Sequence, residues 1–302
     1  MNLSVPQIDG VSQDPDEFGE LRERLVMRLE TLLPMAEGED DPVGIAMRAC
    51  LLSPGKRIRP MLLVLAGQGL GSDSSALFDL GCATEMVHGA SLILDDLPCM
   101  DNAQLRRGQP TIHRQFGEDV AVLAAMALLT EAFRLVASTP SVPPEARAPL
   151  VARLAEASGM RGLVKGQYRD LHADSRMRST QAVATTNALK TGALFEAAML
   201  MAATVSEADA FATAELSRFA QALGQAFQHY DDLIDESGGD GKDTGQDRGK
   251  PTLIALLGAE TVRWRLSSQL EQAEQHLAAV FPADQPIHRY VQALSIRLMR
   301  AN

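Results

Sequence analysis

From residue 16 onward, apolar and polar positions alternate with a helical period, and no stretch shows the two-residue period of a strand. Leu21, Leu25, Leu29 and Leu32 step by three and four residues and open the first predicted helix. A polar, acidic break over 37–42 leads into a short helix and then Ser53-Pro54-Gly55-Lys56-Arg57-Ile58-Arg59-Pro60, whose last proline suits the first turn of a helix over 61–69. Leu77, Leu80, Thr84, Val87, Ser91 and Leu94 line one side of a long helix that ends at Asp95. Pro140, Pro143 and Pro144 mark a connection, after which helices are expected over 145–173, 178–205 and 209–236. Gly238-Gly239-Asp240-Gly241 reads as a loop, and two or three shorter helices close the chain. Residues 1–15 read as a loose tail and 16–302 as an all-α, single-domain antiparallel helix bundle.

Composition supports helices: 46% of the 302 residues are hydrophobic but only 4% aromatic, a balance that favours helix over sheet. A net charge of -11 argues against nucleic acid as a partner. Cys50, Cys82 and Cys99 form neither a disulfide framework nor a zinc motif. The first residues lack the basic and apolar regions of a signal peptide, and the most apolar run, 120–129, is too short to cross a bilayer. A cytoplasmic protein with no transmembrane segment is therefore expected.

Two acidic clusters stand out, Asp95-Asp96…Asp101 and Asp231-Asp232…Asp235, each followed by cations: Arg106-Arg107 after the first, Lys242 and Lys250 after the second. Gln228, Asp231 and Asp235 fall on one helical stripe, with Gly224 a turn earlier leaving room beside the backbone. Like charges about 4 Å apart repel by roughly 4 kcal/mol at an effective dielectric near 20, and acids at a helix C-terminus oppose its dipole. A divalent cation relieves both. Asp95 and Asp101 are six residues apart and would lie on different faces of a straight helix, but Pro98 breaks it and lets a loop fold Asp101 back. Mg²⁺ takes one or two carboxylates and completes its shell with water and phosphate oxygens, so the two clusters describe a diphosphate clamp. Lys190-Thr191-Gly192 adds a cation, a hydroxyl and a flaw in a helix. Glu85-Met86-Val87-His88 has the Glu-x-x-His spacing of di-iron bundles, but a second copy is missing, so a redox di-metal site is not expected.

GKRIRP, EMVHGASLILDDLPCMD, LRRGQPTIH, GQYRDL, LKTGALF, GQAFQHYDDLID and GKDTGQDRGKPT occur in this order. Together they resemble the trans-isoprenyl diphosphate synthase family, the polyprenyl synthetases, and look most like the bacterial geranylgeranyl diphosphate synthases of carotenoid pathways. The resemblance implies an isoprenoid-synthase bundle around a deep central cavity, isoprenoid diphosphates as substrates, and a homodimer with the Asp95 helix near its interface. Asp95, Asp96, Asp101, Asp231 and Asp235 would hold Mg²⁺. Arg106, Lys190, Thr191, Gln228, Lys242 and Lys250 would contact the allylic diphosphate, and Lys56, Arg59, His88 and Arg107 would bind isopentenyl diphosphate. Gln167 and Asp170 fall where the family keeps supporting polar groups near the reacting centre. Pro54 stands where a glycine often precedes the Gly-Lys pair.

The expected reaction is Mg²⁺-assisted ionisation of the allylic diphosphate, attack by the double bond of isopentenyl diphosphate and loss of a proton, with Asp95, Asp101, Lys190 and Asp231 as the catalytic set. Ala90 and Ser91, one turn before Asp95, are small where similar farnesyl synthases carry an aromatic, and Met86 and Val87 lie a turn deeper. One turn rises about 5.4 Å, close to one isoprene unit. That predicts a C20 product. The alternatives are a farnesyl or medium-chain synthase, or a non-catalytic partner subunit. A class I terpene cyclase is disfavoured because DDLID stands in place of its second motif.

Overall fold

In the computed structural model, residues 17–34, 41–172, 179–237 and 253–300 are described. The expected tail, the 238–241 loop, Lys242 and Lys250 lie outside them, as does the side chain of Asp235. The helices run α1 (Gly19–Leu32), α2 (Pro42–Leu52), α3 (Ile58–Gly69) and α4 (Ala76–Asp95), then α5 (Ile112–Phe116), α6 (Glu118–Ser138), α7 (Pro144–Ser158) and α8 (Leu163–Leu171). After them come α9 (Thr180–Asn187), a π-helical turn (Ala188–Gly192), α10 (Ala193–Val205), α11 (Ala210–Ser237), α12 (Leu253–Leu257), α13 (Ala259–Val280) and α14 (Pro286–Arg300).

Local chemistry sets several of these boundaries. The Asp41 carboxylate accepts from the Gly44 amide with Pro42 in the first turn, and Ser179 caps α9 through the Ala182 amide. The centre of the bundle is α10, apolar on every side and packed against α3, α4, α7 and α11. Beside it, α4 lies against α3 and α6, while α11 runs along α13. Phe195 and Phe219 are among the largest fully enclosed side chains.

Three sequence expectations change. The helix expected over 145–173 is two, because Gly159–Gly162 turns the chain between α7 and α8. Two short strands that periodicity could not register, β1 (Leu105–Arg106) and β2 (Gln109–Pro110), form a hairpin whose turn residues Arg107 and Gly108 both have positive φ, 54° and 75°. The apolar run at 120–129 is only part of α6, since Thr130 returns its hydroxyl to the carbonyls of Met126 and Ala127 and the helix continues. Consequently α4, α6 and the 180–205 stretch are each long and apolar enough to cross a membrane by length and composition. The bundle buries 72%, 44% and 56% of their most apolar windows, respectively.

The space that Gly224 leaves is filled by the chain itself. A Cβ there would stand 2.7 Å from the Cα of Gly192, and one on Gly166 would stand 2.7 Å from the Cα of Lys190. The π-helical turn is therefore gripped between α8 and α11. Gly224→Ala should destabilise the protein by about 1–3 kcal/mol, the usual cost of overpacking, read as a lower midpoint of denaturant unfolding.

Candidate active site

The first acidic cluster owes its shape to the break after α4. Pro98 carries no amide hydrogen, and the chain folds back so that the Asp101 amide donates to the Asp95 carbonyl at 2.9 Å. Asn102 closes the loop with a positive φ of 50°, its backbone N–H donating a hydrogen bond to the Leu97 carbonyl. Asp95 and Asp101, on different faces of a straight helix, thus share one end of α4. Asp96 takes another course. Nε of Arg106 donates to both of its oxygens, at 2.9 and 2.8 Å, and Nη2 adds a bond of 2.6 Å. The carboxylate expected on the metal and the guanidinium expected on the diphosphate are paired with each other.

The opposite wall is the π-helical turn. Lys190 Nζ lies 2.9 Å from Asp170 on α8. Burial pulls its pKa down, but Asp170, then Asp95 and Asp101, more than offset this and hold the ammonium above its usual range. The next residue, Thr191, donates to the Gln228 amide oxygen at 3.2 Å, and the Gln228 amide nitrogen donates to Asp232 at 3.1 Å. Lys190 and Thr191 therefore join the first cluster to the second. A single inserted residue in the helical register lets two neighbours face two different helices, a common use of π turns at functional sites. Both side-chain amide atoms of Gln167 are enclosed with no hydrogen-bond partner among the described residues, as in a site awaiting a polar ligand.

The third wall is cationic. Arg59 stacks on Phe195, 4.3 Å from the ring centre, and Lys56 lies 5.8 Å from the centre of the Tyr230 ring. Burial lowers Arg59 to about 10, opposed by the charges of Glu85 and Asp231. Arg107, on the hairpin turn, donates to the Pro54 carbonyl at 3.2 Å. Burial, then Arg59, Arg107, Arg106 and Arg57, hold His88 well below its ordinary range, so its imidazole is neutral at pH 7. Ser91 bonds the His88 carbonyl, and Ala90, Met86 and Val87 are enclosed.

Four sets of expected residues thus converge: Asp95 with Asp101, Lys190 with Thr191 and Gln228, Asp231 near Arg59, and Lys56, Arg59, His88 and Arg107 together. Sequence reasoning named Asp232 within the second cluster but gave it no role, though its i,i+4 relation to Gln228 was a usable signal. It also passed over Phe195 and Tyr230, for which periodicity offers nothing beyond core. Among the described residues no three His, Cys, Asp or Glu side chains form a ready metal cage. A hard cation needs fewer: Asp95 and Asp101, brought to one end of α4, are two carboxylates that could hold an ion whose shell is completed by water and phosphate.

The sequence profile of the polyprenyl synthetase family matches residues 43–284. Geranylgeranyl diphosphate synthase of Pantoea ananas is 51% identical over 268 residues, 88% of either chain. Farnesyl diphosphate synthase of Geobacillus stearothermophilus is 41% identical, covering 77% of this chain and 80% of its own. Among solved structures, the geranyltransferase of Helicobacter pylori complexed with magnesium and isoprenyl diphosphate superposes with a TM-score of 0.84 at 27% identity, over 94% of this chain and 96% of that one.

The Asp95 carboxyl would set a pH limit on any cation bound to it. Burial raises its carboxyl to about 6, against the pull of Lys190 and with a further push from Asp101. The folded protein holds this proton more tightly than the unfolded chain, so the stability it lends is full at low pH and is lost as pH rises through about 6. A cation must displace the proton. Mg²⁺ affinity, measured by calorimetry, should therefore weaken about tenfold per unit as pH falls below this value, and Asp95→Asn should abolish the dependence.

Proposed function

The chain belongs to the polyprenyl synthetase family, and from that premise we propose that it condenses isopentenyl diphosphate with an allylic diphosphate to give geranylgeranyl diphosphate. The observation that carries this reading is the return of Asp101 onto the Asp95 carbonyl with the Lys190 ammonium acting on both carboxylates. That junction joins acids and a cation beside a neighbouring patch of further cations.

The allylic diphosphate lies between the two acidic clusters. Asp95, Asp101 and Asp231, with Asp235 assigned by its place in the DDLID motif, would hold Mg²⁺, which would supply positive charge to the departing diphosphate. Lys190 offers a fixed ammonium to the same oxygens, and Lys242 and Lys250 are assigned to them by their place in GKDTGQDRGKPT. Asp96 is assigned to holding Arg106 at the edge of this site, because the ion pair occupies both its oxygens. As the allylic C–O bond breaks, positive charge develops on carbon. The Thr191 and Gln228 oxygens, set in a short hydrogen-bonded row, face that charge as preorganised dipoles.

Isopentenyl diphosphate sits on the Lys56, Arg59 and Arg107 side. His88, being neutral, donates a hydrogen bond there without adding repulsion among the guanidiniums. The double-bond electrons of this substrate form the new carbon–carbon bond, and a proton then passes to the released diphosphate. The chain needs no nucleophile of its own.

The growing tail runs along α4 past Ser91 and Ala90, whose small side chains admit it. Incubation with Mg²⁺, isopentenyl diphosphate and C5, C10 or C15 primers, then mass measurement of the dephosphorylated alcohols, should give C20. Ala90→Phe should shorten it to C15, and unchanged C20 output from that variant would refute this account of chain length. We also place a second copy of the chain against α6, where Leu123 and Met126 are 52% and 58% exposed beside Val122. Leu123→Glu should halve the mass seen by light scattering.

A further inference from the structure

Arg57 and Glu85 have no part in the assignments above, yet they lie at the centre of the cationic wall. Arg57 Nη1 meets Glu85 Oε1 at 2.8 Å, with side chains 2% and 4% exposed. Nη2 donates to the carbonyls of Leu51 and Ser53, the latter at 2.6 Å. Arg57 is itself left-handed, with φ at 48°, a conformation that a residue with a Cβ holds only when its surroundings enforce it. The enforcing contacts are these three acceptors. They curl residues 51–57 around one guanidinium, and α3 begins immediately after, with the Met61 amide on the Arg57 carbonyl.

Every group placed on isopentenyl diphosphate is attached to this knot. Lys56 precedes Arg57, and Arg59 follows in the first turn of α3. Arg107 reaches across from the hairpin to the Pro54 carbonyl and, at 3.4 Å, the Ser53 hydroxyl. His88 stands three residues past Glu85 on α4, the spacing that first suggested a metal motif. Gly55 seals the arrangement: a Cβ there would lie 2.7 Å from Nη1 of Arg107 and 2.9 Å from Nη1 of Arg57.

Taking the proposed function as given, we infer that Arg57 and Glu85 are a positioning pair for the isopentenyl diphosphate half-site: neither touches substrate, and together they aim Lys56, Arg59 and Arg107 at one diphosphate. The rival role for Glu85 is simple charge balance among neighbouring guanidiniums. The two roles predict opposite signs. A balancing carboxylate weakens anion binding, so its removal would tighten the diphosphate. A positioning carboxylate, once removed, lets the cations drift and loosens it.

The test is steady-state kinetics of the full-length protein with Mg²⁺, varying each substrate in turn, on wild type, Glu85→Gln, Gly55→Ala and the double variant Arg57→Met with Glu85→Met. Gly55→Ala keeps every charge and disturbs only the guanidinium positions. The double variant removes both buried charges together, an exchange that commonly preserves the fold, so a reading survives even if Glu85→Gln fails to fold. KM for isopentenyl diphosphate should rise about tenfold or more in each folded variant, with KM for the allylic substrate within about twofold of wild type. Glu85→Asp, which restores the charge at shorter reach, should recover part of the loss. An isopentenyl diphosphate KM at or below the wild-type value in the folded variants overturns the positioning role, even if their melting temperatures fall. That outcome leaves the proposed function standing, whereas a wild-type protein that consumes no isopentenyl diphosphate removes both.

Discussion

Charge inside an apolar bundle is the constraint to which the rest of the architecture answers. A helix as buried as α4 carries Asp79, Glu85, Asp95 and Asp96, and an isolated charge in such surroundings is too costly to persist. Three of the four are paired with a guanidinium. Asp79 takes Nε of Arg28 at 2.7 Å, Glu85 takes Arg57 and Asp96 takes Arg106. Among the described residues Asp95 feels burial first, then the charges of Lys190 and Arg106 against those of Asp101 and Asp96, and burial leaves it reluctant to ionise. Under the proposed function, the acid that no described guanidinium holds is the one an external cation would take.

The same logic orders the cations. Arg57 and Arg106 are committed to carboxylates, while Arg59 and Lys56 rest on the faces of Phe195 and Tyr230. A ring face holds the Arg59 cation in place without neutralising it, and so keeps that charge available to a phosphate. His88 supplies a hydrogen bond where another positive charge would only add repulsion.

Much of this was legible in the chain. Three- and four-residue spacing located α1 and α4, Pro60 marked the start of α3, and the break at Pro98 with Asp101 folded back followed from proline chemistry alone. The motif order identified the family and named most of the residues that converge. What escaped was set by tertiary partners. Nothing local distinguishes Asp95 from Asp96, because the difference is a guanidinium ten residues away and across a turn. The space beside Gly224 read as room for a ligand, and the backbone of Gly192 occupies it. Glu85 drew notice only for its Glu-x-x-His spacing, and its partner Arg57 looked like one more basic residue in a basic loop. The π turn was visible only as a weak glycine, since its extra residue shows no signature until neighbouring helices force it.

The hairpin at Leu105–Pro110 has a consequence for how this chain can vary. Arg106 and Arg107 are consecutive, yet one reaches Asp96 and the other the 53–54 loop, and a two-residue turn fixes which does which. Lengthening or shortening that turn by a single position would rotate both side chains off their targets at once. Insertions and deletions should therefore be excluded between Leu105 and Pro110 throughout functional descendants of this chain, however freely they accumulate in its other surface connections.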